Sequence, residues 1–399
     1  MSYDTFKSAF VFESFKCETN FNEIVEPSTG EKVKSLVIRN NSTEKFRAAY
    51  IYGEGLKEIS RSKGSEKNNI LGEFLGIKKN DIESIMSFFK KYGFLFSLKE
   101  FNQYISVDID DIIYIKENLE ALINLLNAQE SSEIDYKKLL DSVLFLILSE
   151  KKNVKINEKI FYKPTQDNFL HNIKSANKIN FEGNGNIIQI PRNDGGSYPA
   201  YRVKDNIIDA GFYDMNITNY ESLLESEDSS LDFIKQIFKS FVTKNTSIFS
   251  EDECLIVDFL FHFVQRISII DLHSLSLNMP FSKEVYEKII IEENTDLKKA
   301  LLTISKFLIE RELNHHLSEI KPVYNAKTMQ PNWNLPSLLS AMYLSLFYLD
   351  SKQASYRACQ NINCNQFFLV SKTNRVKKYC CVYCTNAVSQ RRYRQKKIE

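Results

Sequence analysis

Five of the seven cysteines fall within 26 residues near the C-terminus: Cys359, Cys364, Cys380, Cys381 and Cys384. They form two close groups. The first is Cys359-Gln-Asn-Ile-Asn-Cys364; fifteen residues later comes Cys380-Cys-Val-Tyr-Cys384. This spacing points to zinc. The ion prefers four soft ligands in a tetrahedron, and each pair on a tight turn supplies one edge of it. Five thiols compete for four places: Cys380 would give a Cys-x3-Cys second pair and Cys381 a Cys-x2-Cys pair, and both are sterically possible. A closed four-cysteine set leaves no position for water, so its expected role is structural. About 45 residues bury too little apolar area to fold alone, and bound metal substitutes for the missing core. A redox thiol pair is disfavoured, because neither group has the strand-then-helix setting of a thioredoxin-like motif. Cys17 and Cys254 stand alone and read as core or structural thiols.

The same segment concentrates positive charge. The whole chain has 52 Lys+Arg against 51 Asp+Glu, a net +1. From residue 354 onward there are ten basic residues and one acid, Glu399, for +9, which leaves −8 on the first 353 residues. An acidic body with a basic tail implies an anionic partner for the tail. After Cys384 a helix is expected through Asn386-Ala-Val-Ser-Gln-Arg-Arg-Tyr-Arg-Gln-Lys-Lys397. Cys384, Ala387, Val388 and Arg391 share one face by their spacing and would pack on the finger, while Arg392, Arg394, Lys396 and Lys397 would point away. Arg375, Lys377 and Lys378 add bases near a loop tip. Tyr379, Tyr383 and Tyr393, interleaved with these cations, suit phosphate contact with base or sugar packing. Between the cysteine groups, 366–370 and 377–379 are expected as two strands joined by a polar loop.

Residues 357–397 resemble the CGNR-type zinc finger of bacterial proteins. The resemblance is carried by Cys359/Cys364, the aromatic Phe367-Phe368, the basic Arg375–Lys378, Tyr379-Cys380, Cys384 and Arg391-Arg-Tyr-Arg394. The apolar stretch Leu338–Leu349 takes the place of the helix that precedes such fingers. The name-giving motif differs, since Cys-Gly-Asn-Arg is here Cys384-Thr-Asn-Ala387. The resemblance implies Cys359, Cys364, Cys380 and Cys384 as the zinc ligands. It also implies a nucleic-acid-binding, often regulatory, function, with Arg375, Lys377, Lys378, Arg391, Arg392, Arg394, Lys396 and Lys397 as contacts. DNA is the expected partner ahead of RNA, with a protein partner or a second copy as further possibilities.

The remainder must position this module. Apolar residues make up 43% of the 399 and charged residues 26%, ordinary for a folded chain of two or three domains. Apolar stretches at 9–15, 35–38 and 48–52, separated by turn residues, read as strands. Helices are expected over 70–92, with Asn80 as its cap and Gly93 as its stop, and over 112–126 and 136–148, the last so apolar that it would be buried all round. The period then changes. Strands are expected at 154–156, 160–162, 187–190 and 200–203, with turns at 183–185 and 193–197. Helices follow over about 219–243, 251–275, 282–292, 295–318 and 336–350, with Pro280, Pro322, Pro331 and Pro336 at the joints. The fold class is α+β, mainly helical: an α+β body at 1–214, a helical domain at 215–353, and a small treble-clef or ribbon-like zinc finger at 354–399.

Other signals carry less. Leu75-Gly-Ile77, Ile82, Met86, Phe89 and Gly93-Phe-Leu95 match the apolar skeleton of winged helix-turn-helix segments. The reading helix would begin Asp81-Ile-Glu-Ser, however, bringing acid toward phosphates, so an ordinary amphipathic helix is expected there. Asp258 and His262 read as a satisfied core pair, and His315-His316 point to different helix faces. No catalytic string appears. The longest aliphatic and aromatic run is six residues, Val143–Leu148, against the ~20 of a membrane span. The acid-bearing N-terminus without an apolar segment makes the cytoplasm the expected location. Three functions remain: a bacterial DNA-binding regulator, a defence-type or RNA- or protein-docking chain, and an enzyme with an unrecognised site in the body.

Overall fold

The computed structural model describes residues 8–25, 32–59, 69–98, 101, 103–129, 134–149, 152–165, 187–205, 211–216, 237, 240–241, 250–266, 295–326, 329–350, 353–364, 366–371 and 376–395. Among these it is a mixed α/β protein with eight helices and several small antiparallel sheets. The strands are β1 Ser8–Val25, β2 Lys32–Ile51, β3 Gly55–Glu58, β4 Ile105–Asp108, β5 Val154–Ile156, β6 Lys159–Tyr162, β7 Ile187–Pro191, β8 Ser197–Asp205, β9 Gly211–Asn216, β10 Lys321–Asn325, β11 Gln330–Asn334, β12 Ala354–Ala358 and β13 Phe367–Ser371. The helices are α1 Ile70–Leu75, α2 Ile82–Tyr92, α3 Ile109–Gln129, α4 Tyr136–Leu148, α5 Glu251–Arg266, α6 Thr295–Leu317, α7 Leu338–Phe347 and α8 Val382–Gln395. None of the described helices is long and apolar enough to cross a membrane. Two compact units exist: Met1–Ser131 with Lys152–Thr165 and Ile309–Glu399, and Ser132–Lys151 with Gln166–Leu308.

The first unit is built on β1 and β2, expected as three short strands but found as one antiparallel ladder of 18 and 20 residues. Its register slips between Phe15 and Cys17. The buried positions of β1 are even-numbered before the slip (Phe10, Phe12) and odd-numbered after it (Cys17, Thr19), whereas β2 buries Leu36, Ile38, Phe46, Ala48 and Tyr50 throughout. A strand alternates faces at every residue, so only such an irregularity keeps both ends on one core. The turn after α2 fits against it. Gly93 has φ 81°, and a Cβ there would lie 2.3 Å from the Phe15 carbonyl oxygen. On its other edge β2 pairs with β3 at one end and β4 at the other.

Helices α1, α2, α3 and α7 supply buried residues to the same core. Helix α2 is the amphipathic segment expected from its apolar spacing. The single helix expected over 70–92 is two, α1 and α2, and Asp81 rather than Asn80 caps α2, with Oδ1 accepting from the Ser84 amide, while Ile85, Phe88, Phe89 and Tyr92 are buried. Phe94, Leu95 and Phe96 behind it are buried rather than extended as a wing. Helix α7 buries eight of its ten residues. The hairpin β10–β11 contains Pro322 and Pro331, expected to mark helix joints; both lie on a two-stranded pair, where a residue without an amide proton is tolerated at an edge.

The second unit contains α4, the β7–β8–β9 sheet, α5 and the first part of α6. Helix α4 was expected to be buried all round; Lys137, Lys138 and Asp141 instead give it an exposed edge. The turn at 193–197 closes the β7–β8 hairpin with Gly195 at φ 83°. The helix expected at 282–292 and the turn at 183–185 lie outside the described residues, as does most of 219–243.

The C-terminal segment belongs to the first unit. Strand β12 pairs with β13, and its Ala354 and Tyr356 are part of the body's core. The side-chain amide of Asn127 on α3 grips Tyr356 twice: Nδ2 donates to its carbonyl at 2.8 Å and Oδ1 accepts from its amide at 3.2 Å. Asn69 caps α1 through Oδ1, which accepts from the Gly72 amide at 2.9 Å, and its Nδ2 donates to the Tyr356 phenol oxygen at 3.2 Å. Gly72 then meets β13 so closely that a Cβ would lie 2.0 Å from the Phe367 carbonyl oxygen. Both partners are backbone, so neither can swing aside. Gly72→Ala should therefore cost roughly 1–3 kcal/mol of stability by overpacking. Asn127→Ala should cost about the same, because it strips two hydrogen bonds from a half-buried strand. Urea unfolding of each variant measures this, and wild-type midpoints would refute the docking.

Candidate metal centre

Each half of the cysteine cluster is preformed by its backbone. Cys359 follows β12, and its amide donates to the Gln366 carbonyl at 2.9 Å, closing the loop between β12 and β13. Within that loop the Cys364 amide donates to the Asn361 carbonyl at 2.7 Å, a tight turn that brings the two thiols to the same side. On the other half, Cys380 and Cys381 precede α8, and Cys384 lies in its first turn, where the Thr385 amide donates to the Cys381 carbonyl. The halves meet through the Gln360 amide, which donates to the Lys378 carbonyl at 3.0 Å. Residues 377–379, expected as a strand, carry no ladder; the partner of β13 is β12. The reason is geometric: the 377–379 segment spends a hydrogen bond on the first knuckle rather than on β13.

The sulfurs of Cys359, Cys364, Cys380 and Cys384 all lie within 4.8 Å of one another. Cys364 Sγ and Cys384 Sγ are each 3.6 Å from Cys380 Sγ. A tetrahedron with metal–sulfur bonds of about 2.3 Å has edges of about 3.8 Å, so the cluster can hold a metal ion. The fifth thiol is close: Cys381 Sγ is 3.8 Å from Cys380 Sγ. It stands outside the set of four that share a common centre.

Electrostatics makes the arrangement strained without a cation. Burial and the neighbouring sulfurs push Cys380 up strongly, and burial pushes Cys364 up to about 11. At Cys359 burial acts the same way, but hydrogen bonds from the Cys380 and Asn361 backbone outweigh it and the thiol is lowered. Adjacent thiolates oppose one another's ionisation, and a divalent ion at their centre would reverse that.

A residue not anticipated from the sequence joins the two halves. Asn361 is 6% exposed; its Nδ2 donates to Cys384 Sγ at 3.4 Å, and its Oδ1 accepts from Arg391 Nη2 at 3.3 Å. The one available signal was an Asn two residues after a cysteine, a position suited to an Asx turn, and its Oδ1 does also accept from the Asn363 amide. Arg391 is thereby turned inward, as the helical face Cys384–Val388–Arg391 implies, while Ala387 of that face is exposed. Lys377, Lys378, Arg392 and Arg394 are exposed. Lys377 Nζ also sits 5.3 Å above the Phe368 ring. Arg375, Lys396 and Lys397 lie outside the described residues. A cavity of about 550 Å³ beside the cluster is lined by Glu73 and Asp81 together with Lys91, which pairs with Glu73 at 3.0 Å.

Comparison with family models, with curated proteins and with solved structures gives no match. The resemblance of 357–397 to CGNR-type fingers therefore rests on the motif, and the geometry establishes a four-cysteine cluster able to bind metal.

Ser substitution of Cys359, Cys364, Cys380 or Cys384 should each lower bound metal well below one per chain. Cys381→Ser should retain it. Arg391→Ala should keep the metal but hasten its loss to a chelator, because Asn361 loses the donor that orients it. Elemental analysis and chelator-competition kinetics read these outcomes; retention of metal by Cys380→Ser and loss by Cys381→Ser would exchange the two assignments.

Proposed function

We propose that this chain is a zinc-finger nucleic-acid-binding protein, a DNA-binding regulator whose CGNR-like C-terminal module contacts phosphates. In this reading Cys359, Cys364, Cys380 and Cys384 hold one Zn²⁺ structurally. Four thiolates and one Zn²⁺ sum to −2, and the Lys and Arg residues around them offset part of that charge. The metal supplies the rigidity that a module lacks when its own buried cluster, among the described residues, is Cys359, Phe368, Val370 and Cys384.

The observation that carries the reading is the outer surface of this module. Lys377, Lys378, Arg392 and Arg394 are exposed, and Tyr383 and Tyr393 stand out at 81% and 62% exposure between them in sequence. Large aromatic side chains left in water beside nearly unopposed cations suit a polyanion with stackable bases. Arg391 is assigned to positioning, since its guanidinium is already engaged with Asn361. The start of α2, with Asp81 and Glu83 exposed, does not fit phosphate contact.

A second reading has its own support. Ile362, Val376 and Val382 of the same module are 76%, 81% and 63% exposed, and aliphatic exposure of that extent favours docking on a protein or a folded RNA.

If about four basic residues meet phosphates, the slope of log K against log salt on duplex DNA should be roughly −3 to −4. Changing Lys377, Lys378, Arg392 and Arg394 together to Ala should abolish that slope while bound zinc stays at the wild-type level. Substitution is the right form of this experiment, because truncation at 354 would remove Ala354 and Tyr356 from the body's core. Unchanged affinity of the quadruple variant for duplex DNA would end the DNA reading. A preference for structured RNA over duplex, at matched salt, would move the assignment to the second one.

A further inference from the structure

The fifth cysteine of the cluster has no place in a tetrahedral site, and its surroundings point to a separate role. Cys381 is half-buried, whereas Cys359 and Cys384 are buried. Its Sγ lies 3.8 Å from that of Cys380, which is itself 3.6 Å from those of Cys364 and Cys384. The common centre belongs to Cys359, Cys364, Cys380 and Cys384. With those four engaged, Cys381 is the sulfur left over, held against a ligand. What such a thiol does is decided by its reactivity rather than by its packing.

Two cavities reach it. Cys380 and Cys381 line both the cavity of about 550 Å³ and a second of about 320 Å³. Neither draws an anion. Among the lining side chains, Glu73 and Asp81 stand with Lys91 in the first, and Glu54 and Glu73 with Lys57 and Lys377 in the second. A small uncharged reagent is therefore the kind that these cavities admit.

We propose that Cys381 is a redox-sensing thiol that reacts with a hydroperoxide and then draws Cys380 out of the metal site. In the first step the Cys381 sulfur attacks the O–O bond of the hydroperoxide, ROOH. It gains one oxygen and becomes a sulfenic acid, and ROH leaves with the proton that the thiol gave up. In the second step the Cys380 thiolate attacks that sulfur. The S–S bond forms as the S–O bond breaks, and the departing hydroxide takes a proton from solvent and leaves as water. The two sulfurs together lose two electrons, and the peroxide bond gains them. Cys359, Cys364 and Cys384 alone are then left to hold a metal, and Cys380, which leads into α8, is released from it. Adjacent residues place their Cα atoms about 3.8 Å apart, closer than the ~4.4 Å at which disulfides ordinarily begin to form. The bond is strained, and strained disulfides are the labile, regulatory ones, so a thiol reductant reopens it. The device is thus a switch, distinct from a thioredoxin-like catalytic pair. It rests on metal binding by the four cysteines and is independent of nucleic-acid binding.

The test uses the full chain loaded with zinc, one equivalent of hydrogen peroxide, and a chromophoric chelator that reports released zinc. Wild type should hold its zinc before treatment and lose it afterwards. Cys381→Ser and Cys381→Ala should each keep theirs at the same dose. In oxidised, alkylated wild type, the tryptic peptide 379–391 should be short of two hydrogens and carry its alkyl group on Cys384 alone. Dithiothreitol with added zinc should restore the bound metal. Equal zinc release by wild type and both variants would overturn the proposal, as would a disulfide that leaves Cys381 alkylated. Zinc absent from the freshly reduced, untreated protein would overturn the metal reading and this proposal with it, an outcome distinct from zinc that binds and ignores Cys381.

Discussion

The structure hangs on how one strand residue is held. In an antiparallel pair each residue directs its amide and carbonyl to the same side, and at Tyr356 that side faces away from β13. Unmet, those groups would leave β12 an open edge. Asn127 closes it with both ends of one side-chain amide, and Asn69 fixes the phenol at the other end of the same residue. Asn69 simultaneously starts α1 by capping Gly72, and Gly72 is where α1 touches β13. Two asparagines, one tyrosine and one glycine thus couple α1, α3 and the finger. Removing any of them disturbs a chain of contacts rather than a pair.

That coupling changes what the cysteine cluster is for. A free finger needs its metal to fold at all. Here β12 and β13 are already braced by α1 and α3, and the cluster's remaining task is to fix α8. Asn361 shows how: it bonds to the sulfur of Cys384 and to Arg391 two turns along the same helix. The cationic face of α8 is oriented by the cluster through this bridge, which uses Arg391, the cation expected to pack inward on the finger.

The long β1–β2 ladder obeys a similar economy of constraint. Its slip at Phe15–Cys17 would expose half of the strand's apolar residues if the register ran straight on. The irregularity also gives the α2–Gly93 turn a place to sit, since Gly93 needs both a positive φ and room that no side chain would leave. Burial lifts the Cys17 thiol to about 12, so that residue behaves as the small core hydrophobe its isolation in the sequence implied.

Local signals were legible in the residues themselves. The helices α2, α3, α4 and α7 follow from apolar spacing, with Gly93 as the stop of α2 although its cap is Asp81 and not Asn80, and the cysteine groups follow from the demand of a tetrahedral ion for two short-range pairs. The charge split between body and tail is arithmetic. What the sequence could not announce is everything that depends on a distant partner. The slip in β1 is invisible until its pairing with β2 is known. The strand 354–358 alternates buried and half-buried residues over only five positions, and the partner that holds it, Asn127, is 229 positions away. His315 and His316, read as pointing to different faces, instead hold their rings in edge contact, centroids 4.8 Å apart, and both line one cavity between β6, α7 and the end of α6. Period and spacing determine which elements form and which atoms can share a metal. Only tertiary structure decided which edge each element presents, because an edge is chosen by hydrogen-bond and packing partners that lie hundreds of residues apart.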